Sequence, residues 1–343
     1  MLREAGQPRM QHLRIILCQR RLANGRAERP ELTVELRALG HEVLETDDAG
    51  IDLGACDLVW IQGNANWYPH VCRQLSAAAR RPVSVIWHTE PLPPPAASGV
   101  PRPRLELREI AKIVLRDRRA TDVYTNFSRL RQLAARGLPD CLVVSGRARQ
   151  EFLAEHGIAA HWVPPGYSLD HGRDLSLERD IDVLFLGTLD VKRRRHALKR
   201  LEEAGLNITV EGSWYDSRAW GENRTRLLNR AKILLDVQRY PGELSGLRLI
   251  LAMANKCLVV SEPIYDSSPF LAGEHFVSAP LPQMPQVVRH YLGHPGERQR
   301  IVEAGYRFVT QELTLWRAVT RVLELTHPAI EHRRASPTET PTA

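Results

Sequence analysis

Asp182-Val183-Leu184-Phe185-Leu186-Gly187 is the stretch from which the fold is read. Four consecutive apolar residues end at a glycine, the pattern of a short strand buried on both faces. A helical pattern follows at 193–204 and stops at Gly205. A second strand is expected at 207–212, then a helix at 224–231 with Asn223 as its cap, then a third strand at 233–237. The helix 247–254 is stopped by Asn255 and precedes a fourth strand at 257–261; a short fifth strand at 275–278 and helices at 285–292, 297–310 and 315–326 complete this half. Strand, helix and strand at this spacing give parallel βαβ units.

Toward the N-terminus the same alternation appears. Strands are expected at 13–18, 41–46, 57–63 and 83–88, with helices at 30–39, 69–79 and 105–115. Residues 123–126 read as a short strand before a helix capped by Ser128 and stopped by Gly137, and 141–144 as another strand before a Ser145-capped helix that ends at Gly157. His161-Trp162-Val163-Pro164-Pro165-Gly166-Tyr167 then interrupts any regular element. The expected organisation is a first domain over 12–162, a linker over 163–180, a second domain over 181–327, and tails at 1–11 and 328–343. The fold class is α/β, two Rossmann-like parallel-sheet domains facing across a cleft. Ligands of open parallel sheets bind outside the carboxyl ends of the strands, so the site is expected between the domains.

Composition excludes several classes. The 343 residues suit two domains, and 43% hydrophobic with 25% charged residues is ordinary globular usage. No apolar run approaches the roughly 18 residues needed to span a bilayer. The polar start, Met1 to Gln11, lacks the apolar core of a secretory signal. Five cysteines, at 18, 56, 72, 141 and 257, form no CxxC pair; they predict a reduced, cytoplasmic protein without structural zinc. The net charge of +7 rests on 42 arginines and only five lysines. Spread over this length it predicts solvated surface with a local anion site rather than a nucleic-acid groove. Phosphate-loop, serine-hydrolase and zinc-protease motifs are absent from the sequence, and no dinucleotide-binding glycine fingerprint follows the first strand.

Val163-Pro-Pro-Gly-Tyr167, Asp182 to Thr188, and Glu243-Leu-Ser-Gly-Leu-Arg-Leu-Ile-Leu-Ala-Met-Ala-Asn255 followed by Cys257 to Glu262 resemble, in order and spacing, the C-terminal domain of GT-B glycosyltransferases. The likeness is greatest to group 1 enzymes and a branch related to spore-maturation proteins, and it covers about residues 160–320. The resemblance implies a bacterial enzyme that moves a sugar from a nucleotide-sugar donor, UDP- or GDP-linked, to an acceptor. It implies no cofactor and no metal. The donor would lie on the second domain and the acceptor, a small molecule, glycan or peptide, on the first. Peripheral membrane contact is compatible with it.

Roles are assigned residue by residue, from the resemblance for Glu243 and the basic run, and from strand-end and turn positions for the base-stacking, acceptor-side and lid candidates. Glu243 stands at the first position of the family's Glu-x7-Glu motif and would face the donor sugar. The second position is Leu251, so the carboxylate that would hold the ribose is missing; either another residue such as Glu262 replaces it or the donor is held differently. Ser245, Gly246, Leu247 and Arg248 begin a helix whose N-terminus suits a diphosphate. Thr188 and the basic run Lys192 to Arg195, with Arg193 and Arg194 foremost, would meet the same diphosphate. Trp214, Arg239 and Tyr240 follow strands and are candidates for contacts to the nucleobase. On the first domain His88 or Glu90 would take the acceptor's proton. The 19–28 loop is a candidate lid. The rival reading is a non-catalytic nucleotide or nucleotide-sugar binding protein on the same scaffold.

Overall fold

Runs of Val, Ile and Leu covered on both faces become central strands, and the helices between them supply the covers. The computed structural model describes residues 11–21, 29–48, 50–78, 81–105, 107–115, 122–189, 191–212 and 220–335. Among these residues the first sheet contains β1 (Arg14–Cys18), β2 (Glu42–Thr46), β3 (Leu58–Gln62), β4 (Val83–His88), β5 (Cys141–Val144) and β6 (His161–Trp162). Their order is β2-β1-β3-β4-β5-β6 and every pairing is parallel. The helices of this half are α1 (Pro30–Ala38), α2 (Pro69–Ala77), α3 (Leu107–Leu115), α4 (Val123–Ala134) and α5 (Arg147–Ala154).

The second sheet contains β7 (Ile181–Leu186), β8 (Thr209–Glu211), β9 (Ala231–Asp236), β10 (Leu258–Ser261) and β11 (Val277–Ser278), ordered β11-β10-β9-β7-β8 and again parallel. Its half carries α6 (Lys192–Glu203), α7 (Gly221–Arg230), α8 (Gly246–Ala254), α9 (Met284–Gly293) and α10 (Pro295–Arg307); α11 (Leu315–Ala335) ends the described chain. Two facing parallel α/β sheets are the architecture expected from the sequence.

Local differences have identifiable causes. Residues 123–126 are not a strand but the first turn of α4. Asp122 caps that helix, its carboxylate accepting the N–H of Thr125 at 3.0 Å, and the cap overrides the β-preference of Val123 and Tyr124. His161 and Trp162, read as irregular chain, pair with Val143 and Val144 at the sheet edge. Helix α7 starts at Gly221, before the expected cap Asn223.

The largest difference concerns the C-terminus. Leu315, Ala318, Val319, Val322, Leu323 and Ile330 of α11 share a core with Leu17, Trp60, Val85 and Val143 of the first sheet. The chain therefore returns from the second sheet to the first, and it stays helical to Ala335 where a tail was expected from 328. Pro328 removes one helical donor, yet Ile330 is 3% exposed, so burial holds the last turns in place. The outgoing and returning segments are bonded to each other: Tyr167 N–H donates to Leu313 O and Leu315 N–H to Tyr167 O, both at 2.7 Å. Gly166 permits this approach, since a Cβ there would lie 2.4 Å from the Leu315 backbone.

Candidate functional site

A cleft of about 370 Å³ lies between the two sheets. One wall comes from loops after β3, β4 and β5: Gln62, Gly63, Trp67, Thr89, Glu90, Pro91, Ser145 and Arg149. The opposite wall is the run Glu243 to Leu247, which leads into α8. The first wall depends on a glycine. Gly63 has φ +85°, and a Cβ on it would stand 2.8 Å from the Trp67 ring, so only glycine lets that indole lie over the end of β3. The Arg20 guanidinium rests 4.6 Å from the same ring.

Glu243 is joined to the first domain through Arg149. Their charged groups are 3.5 Å apart, and Arg149 also donates to Thr89 O at 2.8 Å and to Ser145 Oγ. One guanidinium thus ties the loops after β4 and β5 to the loop before α8. Burial pushes the Glu243 carboxyl above its ordinary range, against the opposing pull of Arg149, Arg239 and Arg194. Burial also lowers the pKa of Arg149, against Glu243 and Glu90. Each partner has lost water, so the pair depends on its own geometry rather than on solvent.

Ser245 is the residue before α8 and its side chain makes no capping bond. Gly246 opens the helix and faces Pro165, whose Cγ would be 3.3 Å from a Cβ at that position. The first N–H groups of a helix have no intrahelical acceptor, so this end of α8 offers donors and positive potential to the cleft. Leu247 is 38% exposed there. Leu251, one turn on, is buried in the core with Leu234, Ile250 and Val259. The missing ribose carboxylate is therefore an apolar core position.

The basic run does not line the cleft. Arg193 pairs with both carboxylate oxygens of Glu262 and donates to Gln238 O at 2.7 Å. Arg194 is buried, donates from Nε to Val237 O at 3.0 Å, and is depressed to about 10 by burial and then by Arg248. Arg195 donates to Leu189 O at 2.6 Å. Arg248 pairs with buried Asp236 at 2.5 Å. The Arg193, Arg194 and Arg248 side chains turn toward the ends of β9 and β10, because α6 and α8 begin beside those carbonyls and carboxylates. Glu262, the considered substitute for the ribose ligand, is held by Arg193 and by the Gln238 N–H. Thr188, Arg239 and Tyr240 also lie outside the cleft lining; Arg239 stands 5.6 Å from the Tyr240 ring. Trp214 and most of the 19–28 loop lie outside the described residues.

On the acceptor side the two expected residues separate. Glu90 lines the cleft. His88 does not: it is fully buried at the end of β4, and burial followed by Arg149 depresses it to about 3, against the opposing pull of the Gly63 and Glu90 backbone.

Cleft residues that sequence reading missed include Arg149, the Arg29–Glu31 pair, His171, and Arg224 with Trp220. Nδ1 of His171 accepts the Ser168 N–H at 2.9 Å, and its Nε2 is 3.9 Å from Glu31. Burial, then Arg29 and Arg224, hold that imidazole well below its usual pKa. Arg149 had a usable signal, since it lies one turn beyond the end of β5. The others come from helix and linker starts whose approach depends on the packing of two domains.

Residues 193–324 match the glycosyl transferase-like family. No curated protein matches the chain. Solved structures are similar in fold at low identity. The Anabaena protein HepE, in complex with UDP and glucose, has a TM-score of 0.60 and 10% identity over 92% of this chain and 100% of its own. Sucrose-phosphate synthase from Thermosynechococcus elongatus has a TM-score of 0.58 and 13% identity, over 94% and 99%. The DNA-modifying β-glucosyltransferase has a TM-score of 0.56 and 12% identity, over 92% and 98%. TarM also matches, with a TM-score of 0.55 and 10% identity, but this chain spans only 54% of its length. No helix among the described residues is long and apolar enough to cross a membrane.

Proposed function

This chain has the GT-B fold and, over 193–324, a group 1-like glycosyltransferase sequence; from that premise we propose that it transfers a hexose from a nucleotide sugar to an acceptor in the interdomain cleft. The carrying observation is that Glu243 and the N-terminus of α8 face Glu90 and Arg149 across one cavity. The leaving diphosphate takes the α8 N-terminus, where backbone donors and the helix dipole meet negative charge without reorganisation. Glu243 faces the sugar. As the C1–oxygen bond to the diphosphate breaks and the acceptor oxygen bonds to C1, Glu90 accepts the acceptor's proton. Arg149 acts as a positioning residue, aiming Glu243 and favouring its ionised form. Positive charge at the cleft comes from Arg20, Arg29, Arg149 and Arg224, and the reading includes turnover without a divalent ion in a cytoplasmic enzyme.

UDP is the first nucleotide to test, because the Anabaena neighbour's complex holds UDP and glucose. At one hundred times its dissociation constant it should stabilise the fold by about 2.7 kcal/mol in a thermal-shift assay. Glu243→Ala should abolish transfer while this shift persists. Arg149→Gln should lower kcat and move the acidic limb of the pH–rate profile upward, since the guanidinium now pulls the Glu243 carboxyl down. Unchanged turnover in Glu243→Ala removes Glu243 from the mechanism. A second reading, a non-catalytic nucleotide-sugar binder, draws on Leu251 in the core and Glu262 tied to Arg193; a UDP shift with neither transfer nor donor hydrolysis would establish it.

A further inference from the structure

A second cavity, of about 250 Å³, opens among α2, α3 and α4 and shares no lining residue with the cleft. Three guanidinium side chains line it: Arg73 on α2, Arg129 on α4, and Arg136 in the turn just past the end of α4. No carboxylate lines the cavity among the described residues. Arg73 instead lies 3.4 Å from the His70 ring. Three like charges around one cavity repel one another, and a bound anion relieves that repulsion.

We infer that this cavity is a binding site for a phosphoryl group. Guanidinium forks match phosphate oxygens in charge and geometry, and the Ser128 hydroxyl in the wall can add a donor. The ligand carrying that group has two possible sources, distinguished by the neighbouring surface. Ile113 of α3 lines the cavity, and Leu107, Ile110 and Val114 of the same helix are 84%, 41% and 73% exposed at spacings of three and four residues. That apolar stripe fits the tail of a lipid phosphate, whereas the cavity alone fits a free phosphate. The inference does not depend on chemistry in the cleft.

The test uses the full chain in three forms: wild type, Arg73→Gln with Arg136→Gln, and Arg149→Gln as a control for phosphate entering the cleft. Both cavity substitutions lie at exposed positions, and circular dichroism verifies folding. Thermal shift against inorganic phosphate, at ionic strength matched with chloride, should show stabilisation in wild type and Arg149→Gln. Half-saturation should be about tenfold weaker in the double variant. In the second arm, flotation with phosphatidylglycerol or phosphatidylcholine vesicles is repeated with Leu107→Ser/Val114→Ser. Flotation with the anionic vesicles alone, lost in both double variants, identifies a lipid phosphate; a phosphate shift without flotation identifies a free one. If the Arg73/Arg136 variant responds like wild type in both arms, or no form responds in either, the inference is overturned.

Discussion

His88 and Glu243 are both ionisable groups that burial pushes toward the neutral form, with different consequences. His88 stays neutral in the folded protein down to about pH 3, whereas an unfolded histidine protonates near 6.5. Its contribution to stability is therefore complete above 6.5 and is lost as pH falls through the window between these values. The slope in that window is at most about 1.4 kcal/mol per pH unit. His88→Leu replaces a buried neutral imidazole by an apolar side chain of similar size, so at pH 7.5 it should change stability by no more than about 2 kcal/mol. Denaturant titrations at pH 7.5, 6 and 5 should give a flatter dependence for the variant; parallel curves would show that His88 is hydrated and titrates normally. Retained transfer would leave Glu90 as the acceptor-side base. Sequence reading placed His88 and Glu90 together at the end of β4 but could not separate them. Strand alternation locates a residue near a sheet's end; only packing decides whether its side chain meets the cavity or the core.

At the scale of elements, glycines and caps decide where segments meet. Gly166 lies where the outgoing chain touches the start of α11, and a methyl group there would overlap backbone rather than a yielding side chain. Gly166→Ala should destabilise the protein by about 1–3 kcal/mol, read as a lower urea midpoint at unchanged m-value. An unaltered midpoint would mean that the two crossing segments separate easily. Most strands were legible because apolar runs of four to six residues bounded by glycine or polar residues leave few alternatives. Residues 123–126 were misread because Val-Tyr-Thr suits a strand, while the deciding interaction is the Asp122 cap. The edge strand β6 was missed because its pattern is only two residues long and its pairing with β5 is non-local.

For the whole molecule, the long-range event is the return of α11 to the first sheet. Ile330 is buried beside that sheet, and Arg333 bonds to Asp140, Arg81 O and Pro82 O. Ile330→Ala should cost about 2–4 kcal/mol by leaving a cavity. Ending the chain after Thr326 should cost more and lower the calorimetric transition of the first domain; an unchanged transition would make these turns dispensable. Because the linker and the Leu313–Leu315 segment are bonded to each other, the two domains are joined by a double strand of chain rather than by one flexible connection.

The sequence alone determined the two parallel α/β sheets and their strand-end cleft. It also pointed to the loop before α8, whose residues Glu243 to Leu247 line the cavity, because apolar periodicity, stop residues and motif spacing are local properties of the chain. Tertiary structure decided which charges reach that cleft. Arg193, Arg194 and Arg248 stood in plausible positions yet turn to nearby acids and carbonyls, while Arg149 reaches across from the other domain. A guanidinium's direction is set by whichever acceptors lie within its several-ångström reach. Those acceptors come from strands and helices far away in sequence, so their positions exist only once both sheets have packed.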